Sequence, residues 1–543
     1  MTARPRLTAE QILHRADGQR PWRLWPRLLL IVGLITAGRL IYLAYFSPYA
    51  LVEDEAHYWE WGRRLGLSYY SKGPGVAYLI ALSTRLFGDT EFGVRAPAAI
   101  ACAIAAIAVG ALAAAALRSS RAGVYAAVCL LAAPFFLGAG VLMTIDIPYI
   151  AAWAVACWAG WVAIERRSAS AWLLLGAAIG IGFLFKFTIL LLVPGLLLFA
   201  LVQRRPLRPI GAVIAACALA LALMMPVALW NIQHDWPTMR HLLGHLGVAG
   251  GDQAPGRPNP YSPLWTLQYI GLQFALIGPA LGLAIEGLYP WRDPARPEAL
   301  IGRRYLLWCA APILLFYFAV TFFTDGEANW AVAGHVTLLA LAGFMAAAGV
   351  QGARRRRRGE KTCGPKVYWW RGLWHATVVI GIIAGIGLAR PDWFARIPGL
   401  TGVIPMGRIT EGRTVAAGVA PLLAQLERET GRQPLIIATH YGLASQLAFY
   451  LEGHPTVYCA SALLPGAGRQ TQYDYWADTD LTDLERLGGR PALLIGSDKA
   501  DWDVAFERIS EPMKIPDDPE SDRRVRFGYG YLGFPGHRGG GEP

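Results

Sequence analysis

The chain has 543 residues, of which 55% are hydrophobic and only 16% charged, and its mean hydropathy is +0.35. Soluble domains carry about 25% charged residues, so this balance excludes an ordinary soluble enzyme and points to a polytopic membrane protein. The net charge of +12 does not indicate nucleic acid, because the arginines sit in short clusters between apolar runs, as the positive-inside rule places them.

Arg4, Arg6, Arg15, Arg20, Arg23 and Arg27 put the N-terminus in the cytoplasm. That basic stretch leads into an apolar run of spanning length with no small-residue cleavage site, so it reads as a retained anchor. With about 20 residues needed per crossing, the first span is 28–48, and residues 49–92 emerge outside. Within them, 74–88 is short and amphipathic and reads as an interfacial helix. Spans follow at 93–117 and 122–143, joined by "RSSR" inside. "TIDIP" (144–148) is then outside, and the chain returns through 147–164 to "ERR". Segments 171–186 and 188–202 are short and fit either two spans or a re-entrant pair. Further spans are 209–230, 263–289, 304–323, 330–350 and 373–390, with "RRRRR" (354–358) inside. The total is about eleven crossings, with every basic cluster on one side.

Residues 391–543 are polar. "PLIIATH" (434–440), "ASQLAFYLEG" (444–453), "TVYCA" (456–460) and "ALLIGSD" (492–498) alternate as strand, helix, strand, strand, which predicts a small α/β domain outside the membrane. The Gly-rich end, 536–543, reads as disordered. The expected organisation is thus a transmembrane domain over 1–390, carrying the loop 49–92, and an external α/β domain over 391–543. Seven cysteines show no disulfide framework or metal-ligand spacing.

The residues able to do chemistry gather on the predicted outer face. "LVEDEAHYWEW" supplies Glu53, Asp54, Glu55 and His57, and "YYSKGPG" supplies Tyr70 and Lys72. Asp146 lies far away in sequence but also at the outer end of a span. Singly, each has a bland reading: solvated loop acids, a helix-capping Asp146, a Lys72 that snorkels to head groups, and interface-belt Tyr69, Tyr70, Trp59 and Trp61. Jointly, two acids and a lysine at the lipid–water boundary suit a phosphate-headed lipid substrate. A carboxylate can accept a proton from an attacking hydroxyl, and an ammonium can hold the charge of a leaving phosphate. Lys186, at a span end, fits either phosphate binding or snorkelling. His234, His241 and His245 fit loop solvation better than a metal site. "THYGLAS" (439–445) lacks the Gly-x-Ser-x-Gly elbow of a hydrolase. Arg469, Gln472, Tyr473, Asp474 and Trp476 either shape an acceptor entrance or support the small domain.

"EDEAHYWEW", "YYSKGP", "RAP" (95–97), "TIDIP", "GFLFKFT" (182–188), "WNIQHDWP" (230–237) and "DGEANW" (325–330) occur in an order that resembles the membrane-embedded GT-C glycosyltransferases. The similarity is to the group holding the dolichyl-phosphate-mannose protein mannosyltransferases and the bacterial lipid A aminoarabinose transferases. The tail 447–476 resembles the extracytoplasmic domain of bacterial members. The resemblance implies a mainly α GT-C fold in the inner membrane and a polyprenyl-phosphate sugar donor. Transfer would be inverting, on the periplasmic side, to lipid A or lipopolysaccharide core, another glycan or a protein hydroxyl. It implies Asp54 as catalytic base, Asp146 as the second acid, and Lys72 as the phosphate ligand. Glu55, His57, Tyr70, Lys186, Glu327 and Asn329 are the remaining implied substrate-binding residues. No cofactor is certain; a divalent cation at Asp54 and Asp146 is compatible. "KGP" stands where Lys-Pro-Pro is commoner, "EAN" where Glu-Pro-Asn is, and His57 where aminoarabinose transferases carry Arg. The alternative from another class is a transporter or flippase for a lipid-linked sugar. Such proteins often show inverted repeats and helices broken near the midplane, whereas here the polar residues cluster at one face.

Overall fold

The computed structural model describes residues 7–17, 24–245, 251–252, 261–288, 297–396, 406–464, 470–498, 500–516 and 523–534. Arg4, Arg6, Arg20, Arg23, Arg469 and the Gly-rich end lie outside them. The chain forms two compact units. One comprises Met1–Ser47, Arg95–Ala228 and Asn259–Phe394, and the other Pro48–Val94, Leu229–Pro258 and Ala395–Pro543. Residues 48–94 and 229–258 therefore belong with the C-terminal region.

The architecture is mainly helical. Seven helices among the described residues are long and apolar enough to cross a membrane: Leu24–Tyr45, Glu91–Ala116, Asp146–Arg166, Ile210–Gln233, Leu300–Val320, Ala328–Arg357 and Lys366–Ala389. The other expected spans are also helical but broken, for local reasons. The segment expected at 122–143 divides into Ser120–Ala132 and Pro134–Ala139. Ala133 is extended there because the following proline disfavours the helical region for the residue before it. The segment expected at 263–289 is Pro263–Ile277 and Pro279–Leu288, bent by 104°. Gly278 supplies a left-handed φ of 68° at the break, and Pro279 cannot continue the preceding ladder. The pair expected at 171–202 is Ala169–Phe183, a 3₁₀ turn Phe187–Leu191, and Leu192–Val202, with Lys186 extended between them.

Small residues let these helices approach closely, the packing mode available where lipid offers no hydrophobic drive between helices. Helix Val332–Arg357 is buried along nearly its whole length and packs against Ser120–Ala132, Pro279–Leu288 and Lys366–Ala389. At Gly343 a Cβ would overlap the backbone of Ala126.

In the second unit, helix Glu53–Arg63 packs on Gly75–Phe87 and on Tyr441–Tyr450, and Met406–Thr430 packs on the last of these. The sheet consists of β1 (Leu435–Ala438), β2 (Tyr458–Cys459), β3 (Ala492–Ser497), β4 (Phe506–Ile509), β5 (Met513–Lys514) and β6 (Arg523–Tyr531). Its order is β2-β1-β3-β6-β4, with β5 also paired to β6. β1 is parallel to β2 and β3, whereas β6 runs antiparallel to β3, β4 and β5. The expected strand–helix–strand–strand order is present as β1, Tyr441–Tyr450, β2 and β3. β4, β5 and β6 extend it. Leu435, Ile437, Leu494, Trp502, Phe506 and Tyr531 form part of the core on one side of this sheet.

The Gly343 contact yields a test of the helical packing. Gly343→Val should lower the stability of the detergent-solubilised protein by about 1–3 kcal/mol, the usual cost of overpacking. Gly372→Val, at a position with nothing near its Cβ, should leave the apparent unfolding temperature unchanged. Equal unfolding temperatures for the two variants would contradict this packing.

Candidate active site

In the second unit the site begins with the acids that open helix Glu53–Arg63. Three carboxylates in a first turn suit the positive end of a helix dipole, but their surroundings differ. Glu55 is fully buried, and its Oε2 accepts the Val52 backbone N–H at 3.1 Å, which closes the helix start. Glu53 lies 3.6 Å from both His440 Nδ1 and Arg523 Nη2, and Arg523 also pairs with Glu411 at 2.7 Å. Asp54 is exposed, and its Oδ1 accepts a long hydrogen bond, 3.3 Å, from the Tyr441 hydroxyl. Gly442 permits this approach: a Cβ there would lie 2.5 Å from Glu53 Cβ.

His57 sits on the buried face of the same helix. Trp61, one turn on, donates its indole N–H to His57 Nε2 at 3.1 Å, while Nδ1 meets Ser445 Oγ at 3.0 Å. The Trp61 donation leaves Nδ1 as the protonated nitrogen of the neutral ring, so the imidazole donates to Ser445. Ser445 donates in turn to the Tyr441 carbonyl at 2.8 Å and lies 2.9 Å from the Tyr473 hydroxyl. Tyr473 stacks on His57 at 5.6 Å between ring centroids. Burial, and then the charge of His440, push the His57 pKa down to about 3.

Tyr70 and Lys72 flank one tight turn. The Tyr69 N–H and the Ser68 hydroxyl both donate to the Lys72 carbonyl, at 3.1 and 3.2 Å. Pro74 then caps helix Gly75–Phe87, so the backbone carrying Lys72 is fixed on both sides. Tyr70 is buried; its N–H donates to Gln472 Oε1 at 2.6 Å and its hydroxyl to Asp252 Oδ2 at 2.5 Å. His241 Nδ1 lies 2.8 Å from the same Asp252 oxygen. Tyr475 and His241 flank the Tyr70 ring. Gln472 and Tyr473 of the C-terminal segment thus hold the elements that carry Tyr70 and His57.

In the other unit three distant motifs converge. Asp146 opens helix Asp146–Arg166. Its Oδ1 receives Lys186 Nζ at 2.9 Å and its Oδ2 receives Asn329 Nδ2 at 2.8 Å. Lys186 reaches it from a break where the helix ends in a turn at Leu184 and Lys186 itself is extended. Glu327 is exposed, and its side chain makes no hydrogen bond or ion pair among the described residues. Asp146 does not fit a divalent cation: an ammonium and an amide N–H already point at its oxygens, where a metal would need bare lone pairs. Among the described residues no three His, Cys, Asp or Glu side chains gather in a metal-binding group.

Residues 71–230 match the dolichyl-phosphate-mannose-protein mannosyltransferase family. The lipid A galacturonosyltransferase RgtD of Rhizobium johnstonii is 28% identical over 319 residues, covering 58% of this chain and 64% of that protein. An undecaprenyl phosphate-alpha-4-amino-4-deoxy-L-arabinose arabinosyl transferase of Pseudomonas aeruginosa is 31% identical over 317 residues, 54% of each chain. The chain thus aligns with about half to two thirds of the length of these relatives. The crystal structure of ArnT from Cupriavidus metallidurans in the apo state has a TM-score of 0.61 at 17% identity, covering 93% of this chain and 97% of that one. The same protein bound to undecaprenyl phosphate also has a TM-score of 0.61, with 96% and 100% covered. At 17% identity the likeness is one of fold.

Fold and motifs together define a polytopic membrane protein of GT-C type. Within that class, the chain is similar to the protein mannosyltransferases over residues 71–230 and to bacterial lipid A sugar transferases over about half of its length.

The His57 network makes stability pH-dependent. The folded pKa of about 3 lies below the ordinary 6.5, so between these values the unfolded chain takes up a proton that the native ring excludes. The His57 contribution is therefore complete above about pH 6.5 and is lost as pH falls towards 3, at roughly 1.4 kcal/mol per unit. His57→Gln, which keeps a donor and an acceptor but does not titrate, should flatten the decline in unfolding temperature between pH 7 and 5. Identical pH slopes for both proteins would refute the assignment.

Proposed function

We propose that the chain is a membrane glycosyltransferase. It moves a sugar from a polyprenyl-phosphate donor to a hydroxyl of a lipid A-type acceptor at the periplasmic face, with inversion at the anomeric carbon. The donor and acceptor classes are supported by the relatives, which are named for lipid A galacturonosyl transfer and for use of undecaprenyl phosphate-aminoarabinose. The periplasmic placement is supported by the basic clusters at the opposite ends of the spans.

The observation that carries the assignment of roles is the contrast between two acids. Both oxygens of Asp146 are occupied, by Lys186 and Asn329. Asp54 is exposed at the start of its helix, where its Oδ1 accepts a long hydrogen bond from Tyr441, and a carboxylate open to solvent is accessible to a substrate hydroxyl. As the acceptor oxygen bonds to the anomeric carbon, its proton passes to Asp54. The bond from that carbon to the phosphate oxygen breaks, and its electron pair leaves with the lipid phosphate. The phosphate needs no proton, but its growing charge needs a cation. Lys72 serves this role from its fixed turn. Within the first unit Asp146 orients Lys186 and Asn329; within the second, Glu55 holds the start of the Asp54 helix, and His57 and Tyr70 position the segments around it.

The test is transfer by the purified protein. Lipid A is the acceptor, and polyprenyl phosphate carries galacturonate or aminoarabinose; the product is read by mass spectrometry. Asp54→Asn should lose at least about a hundredfold in rate, the scale of general-base catalysis. A near wild-type rate would remove Asp54 as the base. Movement of the lipid-linked sugar across vesicles without any transfer by the wild type would favour the flippase reading instead.

Lys72→Gln separates phosphate binding from membrane contact. A lost charge-assisted contact should raise the donor KM, and kcat should fall further, because the phosphate charge grows in the transition state. Unchanged kcat and KM would assign Lys72 to head-group contact alone.

A further inference from the structure

The end of the first unit that carries Arg354–Arg358 has an arrangement the proposed chemistry does not use. Helix Val332–Arg357 and helix Lys366–Ala389 are joined by residues 358–365 and lie close together: a Cβ on Gly349 would fall 2.7 Å from the Arg371 backbone nitrogen. The approach brings two cations to one ring. The guanidinium of Arg356 lies 5.8 Å from the Tyr368 ring centroid and that of Arg371 lies 5.9 Å from it. Neither arginine makes an ion pair among the described residues. Within the run, Arg355 alone does, with Glu360 at 2.8 Å. A ring quadrupole attracts an exposed cation only weakly, and two like charges held near it repel. Two cations held at one ring suit an anionic ligand.

The surroundings say which kind of anion. Tyr368 and Trp369 are 42% and 58% exposed, amphipathic rings of the sort that settle at head-group depth. About three and four helical turns beyond Trp369, Ile380 and Ile383 are also exposed on the same helix. Cations and interfacial aromatics thus share one end of the helix, Arg371 following Trp369 by two residues, and the exposed apolar residues lie three to four turns on, the order of a lipid head group and its acyl chain. A free phosphate would engage only the first of these.

We propose that Arg356 and Arg371 hold the phosphate of an anionic phospholipid, whose acyl chain lies along helix Lys366–Ala389. The positive-inside rule sets this end against the anionic inner leaflet. The site is independent of the transfer reaction and of the roles assigned to Asp54 and Lys72.

The experiment uses the full chain, delipidated in a neutral detergent, with retained lipid read by native mass spectrometry and stability by thermal unfolding. Phosphatidylglycerol should be retained and should raise the unfolding temperature, while phosphatidylcholine and inorganic phosphate at the same concentration should not. The double substitution Arg356→Gln and Arg371→Gln should weaken phosphatidylglycerol binding by roughly tenfold or more. Arg354→Gln with Arg357→Gln removes the same charge from exposed positions of the same run and should leave binding unchanged. Equal losses in the two double variants would reduce the effect to diffuse surface charge and overturn the site. Wild-type retention of phosphatidylcholine equal to that of phosphatidylglycerol, or an equal stabilisation by inorganic phosphate, would overturn the lipid assignment without recourse to any variant.

Discussion

A carboxylate at the end of a membrane-length helix must be held by donors, and the first unit is arranged around meeting that demand at Asp146. Lys186 and Asn329 come from segments 40 and 183 residues away and donate to its two oxygens. For Lys186 to arrive, the helical segment around it has to stop, and it does so in a turn after Phe183 followed by an extended Lys186. For Asn329 to arrive, the chain leaves its helix at Val320 and re-enters through the 3₁₀ turn Ala328–Ala331. Each interruption frees backbone groups that lipid could not satisfy, so such breaks are tolerated only where protein or water can. Removing one partner of so buried a pair would strand the other charge, which costs far more than the pair contributes.

The second unit solves a different problem, that of presenting Asp54 while fixing the helix that bears it. His57 and Trp61 on the buried face, and Glu55 at the start, tie helix Glu53–Arg63 down through hydrogen bonds to Ser445, to one another and to Val52. The neighbouring helix Tyr441–Tyr450 contributes Ser445, the Tyr441 contact to Asp54, and the bare Gly442 backbone that allows both. A side chain at that glycine would meet Glu53 and force the two helices apart. Rigid support around an exposed acid is what a positioned base requires.

Much of this was legible in the sequence. The apolar segments gave the helices, and the motifs gave Asp146, Lys186 and Asn329, which meet. Helix continuity was misjudged at Ala133 and Gly278, where proline and glycine override a run of apolar residues. β6 was missed because its buried Val525 and Phe527 alternate with arginines and glycines, a pattern weak in hydropathy. The interior place of His57 had a signal that went unused, since Trp61 lies four residues on and therefore on the same helix face. Tyr441 had none: it lies 387 residues from Asp54, and nothing local in "THYGLAS" marks a partner for a distant acid. Long-range pairs of this kind follow from topology, which periodicity does not encode.

The charge arrangement also bears on how the proposed reaction would divide its labour. A leaving phosphate needs a cation whose field is not already cancelled. Lys186 lies 2.9 Å from Asp146 Oδ1, so the two together present little net charge. To serve a phosphate fully, Lys186 would have to give up its carboxylate and leave Asp146 bare in a poorly hydrated place. In the proposed scheme that task falls to Lys72, whose turn is fixed by the Tyr69 N–H and the Ser68 hydroxyl donating to its own carbonyl. Separating the cation that holds a structural acid from the cation that meets a substrate lets each be strong, and the sequence keeps them on segments 114 residues apart. On this argument Lys186→Met should damage folding and activity together, whereas Lys72→Gln should damage activity alone. Unfolding temperatures measured alongside transfer rates for the two variants distinguish them: equal thermal losses would mean that Lys72 too is part of the scaffold.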